Sequence, residues 1–148
     1  MLIPAAMLEE LIAHAREEYD AECCGLVACD GDGGEPESRR AARVRRAVNV
    51  HAGRKDPAGR DAGRKRFEID GRELMHAIDE IEDAGLELGA IYHSHTHTAP
   101  YPSQTDINFA ANWPGLEWVI VGLADEAPEV RSYLIEDGKV REVPLEVV

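Results

Sequence analysis

An apolar run that ends in His-Ser-His constrains this 148-residue chain more than any other feature. Leu86-Glu-Leu-Gly-Ala-Ile-Tyr92 reads as a buried strand that carries His93, Ser94 and His95 to its C-terminal end. In extended backbone residues i and i+2 share a face, so His93 and His95 can grip one ion while Ser94 points away and holds the strand. An oxygen donor, Asp106, follows eleven residues after His95, on a helix predicted to begin near Ser103. Two imidazoles and a carboxylate suit a catalytic zinc site, where about three protein ligands leave one of four tetrahedral positions for water. Zinc acidifies that water from about 15.7 toward about 7, and a base must take the proton. Glu22, far upstream, is the candidate base.

Together these residues spell H-S-H-x7-S-x2-D with an upstream glutamate, a pattern that resembles the JAMM (MPN+) zinc metalloproteases. The resemblance implies one zinc per chain bound by His93, His95 and Asp106. It implies that Glu22 handles the proton and that Ser103 helps stabilise the oxyanion. It runs from the N-terminal helix to the Val-Pro-Leu-Glu-Val-Val end and implies a single JAMM/MPN domain over residues 1–148. The family commonly has Pro directly after the second His, whereas here Thr96-His97-Thr98-Ala99-Pro100 intervenes; the spacing to Ser103 is unchanged. Glu22-Cys23-Cys24-Gly25 and His93-Ser94-His95-Thr96 look most like the short bacterial hydrolases that act on ubiquitin-like sulfur-carrier proteins in cysteine biosynthesis. The implied substrate is a carrier ending in Gly-Gly with cysteine attached, and the implied product is free cysteine.

Two other functions stand beside that one. The first removes ubiquitin-like tags from lysine side chains, or trims a carrier precursor. Relatives that do so carry two insertions, and here only residues 51–66 could serve as one, with no room for the other between Asp106 and Leu116. The second is a scaffold that has lost its ligands, against which the intact Glu/His/His/Asp set argues.

Composition narrows the setting. The length fits about one domain with a sizeable core. Cys23, Cys24 and Cys29 fall in one expected strand, too close to pair within it, so reduced thiols and a cytoplasmic location are expected. No apolar run approaches the twenty or so residues of a membrane helix. Net charge is −13, but residues 39–66 hold eleven of the sixteen Lys and Arg and two of the twenty-nine Asp and Glu, leaving +9 there and −22 elsewhere. So acidic a body repels nucleic acid. The basic stretch either docks an acidic partner or folds back on its own body.

Periodicity predicts a single α+β domain with a central mixed sheet flanked by two to three helices. Pro4–Tyr19 places Leu8, Leu11, Ile12, Ala15 and Tyr19 on one helical face. Glu22–Cys29 reads as a buried strand closed by an Asp30–Gly34 turn, and Ala42, Val44, Val48 and Val50 alternate as a half-buried strand. Residues 51–66 read as a mobile surface loop. Asp70-x-x-Glu73 is a capping box for a helix that buries Leu74, Ala77, Ile78 and Ile81 and stops at Gly85. A helix over Ser103–Asn112, a strand over Leu116–Leu123, and a hairpin of 130–135 with 140–147 around Asp137-Gly138 complete the chain.

Several singled-out residues have plainer readings. Ser103-x-x-Asp106 is also a helix capping box, which is compatible with a ligand role because a cap fixes the carboxylate. Glu22 alone would be a surface carboxylate. His97 keeps the alternation of His93 and His95, but the resemblance gives the third position to Asp106, and His97 then belongs to the cleft rim. Cys24 has no basic neighbour in sequence and reads as core rather than nucleophile.

Overall fold

The computed structural model describes residues 1–31 and 34–148; part of the expected Asp30–Gly34 turn, Asp32 and Gly33, lies outside the described residues. The element order is β1 (Leu2–Ile3), α1 (Ala5–Glu18), β2 (Cys24–Asp30), β3 (Ala41–Ala47), α2 (Gly71–Asp83), β4 (Leu86–His95), α3 (Gln104–Ala110), β5 (Glu117–Gly122), β6 (Glu129–Glu136), β7 (Lys139–Val143) and β8 (Glu146–Val147). Six strands form one mixed sheet in the order β3-β2-β4-β5-β6-β7. Within this sheet, among the described residues, only β4 and β5 run parallel, and the chain between them crosses over through α3. Among the described residues no helix is long and apolar enough to cross a membrane.

The site-bearing strand β4 is central and buried from Gly89 to His95. Its period-two alternation divides the core. Ala90 and Tyr92 join Leu11 and Ala15 of α1 with Val27, Val119 and Val121 on one face. Ile91 joins Ala77 and Ile81 of α2, Ala110 of α3, and Leu26, Trp118 and Ile120 on the other. His93 and His95 keep the parity of Ile91, so both emerge on the α2–α3 face. Ser94 faces the other way, and its hydroxyl accepts the Cys23 N–H at 2.8 Å, as its reading as a strand-holding residue requires.

Close packing explains the glycine of Glu22-Cys-Cys-Gly. A Cβ on Gly25 would sit 2.5 Å from the Tyr92 ring, which crosses over this residue; its hydroxyl meets His14 Nδ1 at 2.7 Å.

Four local expectations need revising. The β3 ladder ends at Ala47 instead of running to Val50; Val48 is 65% exposed and Asn49 turns inward. Asp70 does cap α2, accepting from the Arg72 and Glu73 N–H groups. Glu73 does not complete the box, because its carboxylate accepts the Val48 N–H at 2.9 Å and pairs with Arg45. The last helix is shorter than 103–112, covering Gln104–Ala110. The terminal hairpin forms, with positive φ at Asp137 and Gly138 as a type I′ turn needs. Its second strand stops at Val143, and Glu146–Val147 departs to pair in parallel with β1.

Residues 51–66, expected as a mobile loop, carry a hydrogen-bond framework of their own. Asp56 and Arg60 close a turn, the Ala62 N–H reaches Arg54 O, and Asp61 accepts from the Gly53 and Gly63 N–H groups. The segment docks on the sheet end through Glu22 N–H to Gly63 O at 2.7 Å and Thr96 Oγ1 to Arg64 O at 3.1 Å.

Candidate metal centre

β4 carries His93 and His95 to the sheet end, and α3 starts against them. Ser103 caps α3: its hydroxyl accepts the Asp106 N–H at 3.1 Å, and the Ser103 N–H donates to Asp106 Oδ2 at 2.8 Å. This complete capping box turns Asp106 back toward the strand. Three donor atoms then converge. His93 Nε2 lies 3.1 Å from both His95 Nε2 and Asp106 Oδ2, and His95 Nε2 lies 3.4 Å from Asp106 Oδ2.

Those separations decide whether the set fits a metal. Bonds of about 2.0–2.1 Å to tetrahedral zinc place neighbouring donors about 3.3–3.4 Å apart. The triangle is therefore nearly the face of such a polyhedron, and it is the group of three or more His, Cys, Asp and Glu that can hold a metal ion among the described residues. The His95 orientation also fits: Nδ1 donates to the Ala99 carbonyl at 2.9 Å, so that Nε2 is the nitrogen that faces the cluster and, once deprotonated, would offer it a lone pair. His93 is held differently. Its ring stacks on Phe67 with centroids 4.5 Å apart, and its buried Nδ1 has no hydrogen-bond partner among the described residues.

Electrostatics follow the geometry. Burial disfavours a charged Asp106, but the His93 charge and the hydrogen bonds from both imidazoles and Ser103 outweigh it and hold the carboxyl well below the usual range. Burial lowers the His93 pKa against the pull of Asp106. For His95 burial acts in the same direction, but Asp106, the Ala99 carbonyl and Glu22 reverse it and raise the pKa.

Glu22 opens on a cavity of about 570 Å³ that is also lined by His95, Ser103, Asp106, Arg66 and Phe109. Its residue is only 6% exposed, and burial pushes its carboxyl up to about 8, with His95 lowering it and Asp106 raising it. No described residue donates a hydrogen bond to that carboxyl. It is thus a desolvated acceptor facing the same space as the three-donor cluster, the environment in which a general base is tuned toward neutral pH.

Other candidates sort out around this centre. His97 is not in the cluster; Tyr19 and Asp20 at the end of α1 and Thr96 hold its ring at the cavity rim. Cys23 and Cys24 are buried, and burial raises both thiols, Cys23 to about 12, so neither is a ready nucleophile. Much of the basic stretch folds back: Arg45 pairs with Glu73 and Glu80, Arg46 with Glu10 and Glu17, and Arg64 with Asp20. Lys65 and Arg66 line the cavity without a carboxylate partner among the described residues. Sequence reasoning missed Phe67 and Asn49. A lone Phe before a helix cap carries no signal for stacking on His93, and Asn49 was hidden by the Val48/Val50 alternation.

Residues 4–136 match the family model described as prokaryotic homologs of the JAB domain. The chain is 32% identical over 149 residues to the CysO-cysteine peptidase of Mycobacterium tuberculosis, covering all of this chain and 91% of that protein. It is 33% identical over 116 residues to the desampylase of Haloferax volcanii, covering 76% of this chain and 73% of that one. The solution structure of a Desulfitobacterium hafniense protein superposes with a TM-score of 0.78 at 29% identity, covering 99% of this chain and 93% of that one.

Proposed function

This chain belongs to the prokaryotic JAB-domain family, and we propose that it is a zinc-dependent peptidase that cleaves the amide bond at the C-terminus of a ubiquitin-like sulfur-carrier protein and releases cysteine. The observation that carries the reading is the convergence of His93 Nε2, His95 Nε2 and Asp106 Oδ2 within 3.4 Å beside the Glu22 carboxyl, to which no described residue donates. In this reading the whole chain acts as one domain, with one zinc held by His93, His95 and Asp106. Zinc in that position supplies Lewis-acid polarisation and acidifies water.

The chain's own residues do the rest. Glu22 takes the proton of the attacking water and returns it to the leaving amine, and its desolvated position matches its pKa to that exchange. Ser103 keeps a hydroxyl proton after its oxygen has accepted from the Asp106 N–H, and that proton is available to the developing oxyanion. Ala99 and the capping box hold His95 and Asp106 in one orientation. In this reading an extended Gly-Gly tail enters the cavity lined by 64–68 and the start of α3. Three buried, unpaired cysteines support a cytoplasmic setting.

Similarity to the CysO-cysteine peptidase over the full chain favours a carrier–cysteine adduct. Similarity to a desampylase favours a second reading, removal of a ubiquitin-like tag from a lysine side chain. The test offers the zinc-loaded protein one carrier in both forms, with cysteine on the terminal glycine or with a lysine isopeptide, and follows products by mass spectrometry. Faster cysteine release supports the first reading. Exclusive cleavage of the isopeptide transfers the assignment to the second, and cleavage of neither with stoichiometric zinc sinks both.

A further inference from the structure

Glu22 stands two residues before β2, outside the ladder that begins at Cys24. Sheet hydrogen bonds therefore do not fix the backbone of the proposed base, and no described residue donates to its carboxyl. Two contacts hold it instead. Its N–H donates to Gly63 O at 2.7 Å, and its carbonyl accepts from Asn49 Nδ2 at 3.0 Å.

Asn49 does more than cap that carbonyl. The residue is 5% exposed, and its carboxamide is saturated. Nδ2 also donates to Arg66 O at 3.0 Å, while Oδ1 accepts the His51 N–H at 3.1 Å and the Glu68 N–H at 3.2 Å. An amide has two donor hydrogens and two acceptor lone pairs, and here all four meet backbone. One side chain thus ties the base-bearing turn to 66–68, the wall of the cavity that also carries Phe67 against His93. Only an amide does this in the available volume: a carboxylate offers no donors, and a hydroxyl is too short and has one.

We propose that Asn49 is a positioning residue for the reaction, holding Glu22 at a fixed place relative to the cavity wall so that its carboxyl faces the attacking water. The inference rests on the assignment of Glu22 as base. Displacements of the order of 1 Å in a positioned group can cost about a hundredfold in rate, so a clamp of this kind acts on kcat through Glu22.

The experiment is a double-mutant cycle on the zinc-loaded chain with a carrier–cysteine adduct. Asn49→Ser removes both donors without adding charge; Asn49→Asp keeps the acceptor half that holds His51 and Glu68. Each is made alone and with Glu22→Gln, and zinc content and melting temperature are measured on all. The proposal expects stoichiometric zinc throughout and a kcat tenfold or more lower for the Asn49 variants alone. It expects no further loss when either is added to Glu22→Gln, because the group being positioned is gone. The same fold-loss in both backgrounds, or wild-type kcat in the single variants, overturns it. If neither variant folds, Asn49 is a clamp of the fold and the proposal is likewise overturned. Wild-type kcat in Glu22→Gln alone removes the base assignment itself, a separate failure read from a separate protein.

Discussion

Replacing Glu22 with Gln in the metal-free chain should make the protein more stable at alkaline pH while leaving acid stability unchanged. The wild-type carboxyl is pushed from 4.5 up to about 8, first by burial, then by Asp106, against the pull of His95. Below about pH 4.5 it is protonated in both the folded and unfolded chains and contributes nothing to the difference. Between 4.5 and 8 the unfolded chain releases the proton while the folded chain keeps it, so stability falls as pH rises. Above 8 the full cost of a buried charge is present. At about 1.4 kcal/mol per pH unit the ceiling is about 4–5 kcal/mol, and access to cavity water reduces the expectation to about 2–3 kcal/mol. Gln has the same shape without the charge. Denaturant unfolding of both proteins in chelator, at half-unit steps from pH 4 to 9, reads the difference directly. Coincident curves at pH 4.5 that diverge to a plateau near pH 8.5, with the variant above, meet the expectation. Parallel curves across that range would refute the idea that Glu22 is a desolvated carboxyl.

Asp106 both caps α3 and belongs to the donor triangle, and two variants separate the roles. Asp106→Asn retains an oxygen for the Ser103 N–H, and so the cap, but loses the charge that pairs with the two imidazoles and should bind zinc far more weakly; Asp106→Ala should lose zinc and, relative to Asp106→Asn, a further ~1 kcal/mol of stability, the usual worth of a helix cap. Full zinc occupancy in both would remove Asp106 from the ligand set. Gly25→Ala places a methyl 2.5 Å from the Tyr92 ring and should cost about 1–3 kcal/mol in chemical denaturation; an unchanged midpoint would mean that the ring moves freely aside. Lys65→Ser with Arg66→Ser should raise KM for whole carrier at low salt, with an effect that fades as exposed charges are screened beyond about 10 Å at 0.1 M, and should leave a short Gly-Gly-Cys peptide unaffected. Equal kinetics on whole carrier at low salt would leave these two cations without a docking role.

What could be read from the sequence was what local rules determine. The His-Ser-His parity needed only strand geometry, and Asp70, Gly85, Ser103–Asp106 and Asp137-Gly138 are end and turn signals acting within four residues. The family resemblance added Glu22, which no local rule connects to β4. What escaped depends on partners distant in sequence. Val48 and Val50 continue the alternation of β3, yet the ladder stops because Glu73 takes the Val48 N–H and Asn49 turns in to bind Glu22, Arg66 and the backbone of 51 and 68. Glu73 left its capping box for the same contact. The Gly-, Arg- and Asp-rich stretch offers little apolar area, and its order comes from Asp56 and Asp61 side chains bonding their own backbone, a framework that periodicity does not register. Part of the basic stretch is an internal neutraliser, with Arg45 and Arg46 lying on the acidic faces of α2 and α1.

The central claim is that a base and a three-donor zinc site act on one amide bond, and it is tested most directly by turnover of a carrier–cysteine adduct by zinc-loaded Glu22→Gln. The amide cannot accept the water's proton, and general acid–base groups contribute about 10²–10⁴-fold. The account predicts one zinc per chain, as in wild type, with kcat lower by that factor. Wild-type kcat at full zinc occupancy would contradict it.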